Sequence, residues 1–123
     1  MPIVFVIATD WQLRATVRAE LRELNIDALG MDSPHDAGRA LAANQMPDAI
    51  VLEATADLAA NPAMQNLIKR IPTIVIASRT ESVSSLATYV DALAPGSVVL
   101  HRPVTVGDIV NEVRAILARA QSA

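Results

Sequence analysis

Residues 47–53 read Pro-Asp-Ala-Ile-Val-Leu-Glu. A proline and an acid open the segment, four apolar residues follow without polar alternation, and one acid closes it. Such a run describes a strand buried on both faces, as strands are in a parallel sheet covered by helices. The same signature recurs upstream at 3–8 (Ile-Val-Phe-Val-Ile-Ala) and downstream at 72–77 (Pro-Thr-Ile-Val-Ile-Ala), with shorter runs at 26–31 and 97–100.

Helical patterns fill the intervals between these strands. Asp10 caps a helix predicted over 11–24, whose apolar stripe is Leu13, Val17, Leu21 and Leu24, with Arg14, Arg18, Glu20 and Glu23 elsewhere on the wheel. Ser33-Pro34-His35-Asp36 supplies a cap, a proline at the first helical position and an acid at the third, so a second helix runs to about residue 44. Asn61-Pro62 starts a third, to Arg70, after a loop over 54–60. A fourth is predicted over 83–93 and ends at Pro95-Gly96. Thr105 and Asp108 cap the last, whose stripe is Ile109, Val113, Ile116 and Leu117, and residues 121–123 are expected to fray. Trp11 is expected to pack over the first helical turn and Phe5 in the core. Five βα units in succession predict an α/β fold, a three-layer sandwich around a five-stranded parallel sheet with right-handed crossovers.

The chain has 123 residues, enough for one domain spanning 1–123. Apolar residues make up 52% and charged ones 19%, which excludes intrinsic disorder as the main state. The net charge is −3 with no basic run, so nucleic acid is not an expected partner. There is no cysteine, which removes disulfides and thiolate chemistry and agrees with a cytoplasmic location. The N-terminal apolar run, 2–8, is far short of the roughly 20 residues of a membrane span, and no targeting segment or membrane contact is expected.

In sheets of this kind ligands meet the carboxyl ends of the strands, so the residues to question are Ala8, Thr9, Asp10, Glu53, Ala77, Ser78, Arg102 and Pro103. The βα order together with PDAIVLE at 47–53, IPTIVIAS at 71–78 and HRP at 101–103 resembles the receiver domain of bacterial two-component response regulators, a flavodoxin-like (βα)5 fold. The resemblance covers the chain from Ile3 to about Ala120. It implies an acidic pair holding Mg²⁺ after the first strand, a phosphoacceptor aspartate ending the third, a Ser/Thr ending the fourth and a lysine before a cis proline after the fifth. These positions carry Ala8 and Thr9, Glu53, Ala77, and Arg102 before Pro103.

Each departure has a chemical consequence. Mg²⁺ needs several oxygen ligands, and Ala8 and Thr9 supply no carboxylate. Glu53 is one methylene longer than aspartate, so its carboxylate lies about 1.5 Å from the required place. The chain's single lysine, Lys69, falls in the third helix, which leaves Arg102 as the cation at the site. The aromatic residue usual in the fifth strand is Val99 here. Asp10 reads as a helix cap, His35 and His101 come without the acidic cluster of a metal site, and no His/Asp pair stands in the sequence context of Ser78 to make it a nucleophile.

The resulting expectation is a pseudo-receiver: a non-enzymatic module of bacterial phosphorelay signalling, without cofactor or metal, in which Glu53 imitates a phosphorylated aspartate by pairing with Arg102. Its partner is a protein: a kinase, an effector or, weakly, a second copy. The resemblance implies a contact face around the fourth and fifth helices, carrying Tyr89, Asp91, Asp108, Glu112 and Arg114. Two rivals remain: a receiver phosphorylated at Glu53 or Asp48, and a flavodoxin-like domain binding a small ligand or anion. Ala8-Thr9-Asp10-Trp11 contains no glycine, which counts against a phosphate loop.

Overall fold

The hydrophobic runs pair into one five-stranded parallel sheet of order β2-β1-β3-β4-β5. The computed structural model describes residues 1–54, 62–78 and 93–122. Its strands are β1 (Ile3–Ile7), β2 (Asp27–Met31), β3 (Ala49–Glu53), β4 (Thr73–Ala77) and β5 (Val98–His101). The described helices are α1 (Trp11–Glu23), α2 (Pro34–Ala42), α3 (Pro62–Arg70) and α4 (Val106–Ser122). The predicted helix over 83–93, except its last residue Leu93, and the 54–60 loop, except Ala54, lie outside the described residues.

The continuous apolar reading of the central strands is explained by cover on both faces. Val4, Val6, Val51, Ile74 and Ile76 pack against Val17 and Leu21 of α1 and the Ile109, Val113, Ile116 and Leu117 stripe of α4. Phe5, Ile7, Ile50 and Leu52 pack on the other face against Ala37 of α2 and Met64, Leu67 and Ile68 of α3. Among the described residues no helix is long and apolar enough to cross a membrane.

Local chemistry sets the helix ends. Asp10 caps α1 by accepting from the Gln12 and Leu13 amides, Ser33 caps α2 by accepting from Asp36, and Thr105 and Asp108 exchange bonds at the start of α4. α1 and α2 both stop in a left-handed asparagine, Asn25 at φ 61° and Asn44 at φ 64°. The following amides reach back, Ile26 to the Leu21 carbonyl at 3.1 Å and Gln45 to that of Ala40 at 3.0 Å, a Schellman closure of each helix.

Three expectations need correction. Leu24 is not part of the buried stripe: it is 42% exposed, because the reversal at Asn25 gives the buried place to Ile26. Trp11 does not pack down; it is 66% exposed, because it projects about 120° around the helix from Val17. The C-terminus is helical through Ser122.

Candidate functional site at the carboxyl ends of the strands

Glu53 is the last residue of β3, held in register opposite Ile76 of β4. Its side chain is only 13% exposed, so each carboxylate oxygen needs a partner. Oε1 accepts from the Thr9 amide at 3.0 Å and the Thr9 hydroxyl at 2.6 Å. Oε2 accepts from the Arg102 guanidinium at 2.8 Å, a charge-assisted bond.

Arg102 is fixed from its backbone outward. Its amide donates to the Ala77 carbonyl at 2.9 Å, which extends the β4–β5 ladder by one bond, and the Arg102-Pro103 peptide is cis. A second guanidinium nitrogen lies 3.9 Å from Oδ2 of Asp10. The other oxygen of Asp10, Oδ1, caps α1 at 3.1 and 3.2 Å. One arginine therefore ties the end of β3 to the start of α1 and the turn after β5. These are the only two ion pairs among the described residues.

The structure brings together Ala8, Thr9, Asp10, Glu53, Ala77, Arg102 and Pro103, as their strand-end positions require. Their characters differ. Ala8 and Ala77 are buried, at 3% and 0%, and offer neither carboxylate nor hydroxyl. The participation of Thr9 is new: the sequence presents it as a lost acid, whereas its amide and hydroxyl hold Glu53 from 44 residues away. Arg14 is a second surprise, since it bends back to donate to the Ala8 carbonyl at 2.7 Å and so braces the loop beneath the site.

These residues do not fit Mg²⁺. Both oxygens of Glu53 are engaged, one oxygen of Asp10 is spent on the helix cap, the Ala8 side chain has no ligand atom and its carbonyl accepts from Arg14, and a guanidinium already supplies the positive charge. Among the described residues no group of three or more histidines and carboxylates is placed to hold a metal ion.

The expected contact face divides. Tyr89 and Asp91 lie outside the described residues. Asp108 and Glu112 line a groove of about 450 Å³ with Val99, Leu100, His101 and Val104, between the β5 edge and α4. Arg114 is exposed but does not line this groove, because it projects about 120° around the helix from Asp108.

No protein-family model matches the sequence, and no curated protein matches it. Solved structures match along almost the whole length. A receiver domain of a modulated diguanylate cyclase from Desulfovibrio desulfuricans is 20% identical, with a TM-score of 0.72 over 98% of this chain and 97% of that one. A response regulator receiver protein from Burkholderia phymatum is 21% identical, with a TM-score of 0.71 over 96% of each chain. A two-component response regulator from Clostridium difficile is 17% identical, with a TM-score of 0.75 over 98% of each.

The chain has the receiver fold. In its strand-end cleft an internal Thr9–Glu53–Arg102 network occupies the ends of β1 and β3 and the turn after β5.

Proposed function

We propose that this receiver-fold chain is a pseudo-receiver of bacterial two-component signalling, cytoplasmic and non-enzymatic, which acts by protein contact without being phosphorylated. The observation that carries the reading is the 2.8 Å pair between Glu53 and Arg102. A phosphorylated aspartate presents extended negative charge to a cation after β5; Glu53 reaches the cation at that place with a permanent charge. With Thr9 on the other oxygen, the carboxylate is satisfied without metal or phosphate.

The partner is a signalling protein such as a kinase or effector. Its contact face is that of β5 and α4, where Asp108 and Glu112 give the described groove an acidic lining. Association of two copies through this groove is weak, because its carboxylates are Asp108 and Glu112 and Arg114 lies outside it, which leaves no arginine or lysine in the groove to pair with them across a twofold axis.

Trp11, the chain's single tryptophan, follows Asp10 directly and serves as the optical probe. Its fluorescence is expected to stay constant on adding Mg²⁺ up to millimolar levels, with or without acetyl phosphate. A saturable change at micromolar Mg²⁺, enhanced by acetyl phosphate, would establish the phosphorylatable receiver instead.

A further inference from the structure

β2 closes one side of the sheet, and its outer edge is free of any described strand. The Asp27 amide donates to Pro2 and the Met31 carbonyl accepts from Ala8, so these groups face β1. Alternation along the strand turns the backbone groups of Ala28 and Gly30 outward. The Ala28 carbonyl is taken by two arginines of α1, Arg18 Nε at 3.3 Å and Arg22 NH2 at 3.4 Å. The Ala28 amide and both backbone groups of Gly30 have no protein partner among the described residues.

The two flanks of this edge differ in chemistry. On the α1 side, Arg14, Arg18 and Arg22 recur at successive helical turns, and none pairs with a described carboxylate. Burial, then the charges of Arg22 and Arg14, hold the Arg18 guanidinium below its ordinary pKa. Gly30 makes room for it: a Cβ there would stand 2.6 Å from Arg18 Cδ. On the α2 side, Leu29, Met31, Ala40 and Ala43 line a groove of about 360 Å³, with Asp36 and Arg39 among its other lining residues.

A strand laid along β2 would point its side chains alternately to these two flanks. We propose that the β2 edge binds an extended segment of a partner protein in which aliphatic and acidic residues alternate. The backbone pairs with the Ala28 amide and with Gly30, the carboxylates meet Arg18 and Arg22, and the aliphatic residues enter the Leu29–Ala43 groove. Main-chain bonds of this kind supply affinity, and the alternating contacts supply selectivity. The inference goes beyond the strand-end site and does not depend on it. The plainer alternative is that the arginines only shield an exposed edge from pairing.

The test uses a short fluorescein-labelled peptide alternating valine and aspartate, and a control of the same composition with the two residues in separate blocks. Fluorescence anisotropy on the intact chain at low salt is expected to show saturable binding of the first and at least about tenfold weaker binding of the second. Arg22→Glu, at an exposed position, and the Arg18→Ala/Arg22→Ala pair each weaken the alternating peptide about tenfold or more, and Glu53→Gln has no effect. Hydrogen exchange of the Ala28 and Gly30 amides slows on binding. Absence of binding, equal binding of both peptides, indifference to Arg22→Glu, or unchanged exchange at both amides overturns the proposal and leaves edge shielding as the role of the arginines.

Discussion

Glu53 is longer than aspartate by one carbon–carbon bond, about 1.5 Å, and that reach places one oxygen on the Thr9 hydroxyl and the other on Arg102. Glu53 is largely buried and Arg102 is 38% exposed, so the pair is screened less than a surface contact and desolvated less than a fully buried one. A double-mutant cycle of Glu53→Gln and Arg102→Met, which keeps the Thr9 bonds and the volume of the arginine stem, is expected to give a coupling of about 1 kcal/mol in urea unfolding. Additive effects of the two substitutions would mean that the pair contributes nothing in solution. At this scale the sequence discloses the positions of Ala8, Glu53, Ala77 and Arg102, since each ends a strand or follows one. It does not disclose Thr9, because a hydroxyl meeting a carboxylate from 44 residues away depends on side-chain reach and rotamer rather than on pattern.

At the level of elements, helix starts are more legible than helix faces. Asp10, Ser33 and the Thr105–Asp108 pair announce α1, α2 and α4 because each side chain satisfies amides within three residues of itself. The reciprocal bonds of Thr105 and Asp108, at 3.0 and 3.1 Å, are expected to stabilise the chain by about 1 kcal/mol, so Thr105→Ala should lower the urea midpoint accordingly without changing the slope. An unchanged midpoint would show that packing of the α4 stripe alone holds that helix. The closing asparagines, Asn25 and Asn44, are legible only in retrospect as left-handed caps. Arg14 and Arg18 escape a hydrophobic wheel altogether: the wheel sends charge to solvent, whereas their long stems lie against the sheet and carry the guanidinium back to the Ala8 and Ala28 carbonyls.

In the molecule as a whole, the two edges of the sheet are chemically unlike. Arginines overhang the β2 edge, and Asp108 and Glu112 line the groove at β5. Between them, at the carboxyl ends of β1, β3 and β4, lies a cleft in which one guanidinium, Arg102, meets the carboxylates of Glu53 and Asp10. The fold was readable from the buried runs because a doubly covered parallel sheet leaves no room for polar alternation. The pairing of Glu53 with Arg102 is legible from their strand-end positions, whereas the burial of Glu53 and its second partner, Thr9, are not, because the same letters at 53 and 102 would suit an exposed strand end equally well. The measurement that bears most directly on a receiver fold working without phosphoryl transfer is intact-mass spectrometry of the purified chain after incubation with acetyl phosphate and Mg²⁺. An unchanged mass is the predicted result; a Mg²⁺-dependent gain of one phosphoryl group, abolished by Glu53→Gln, would contradict it.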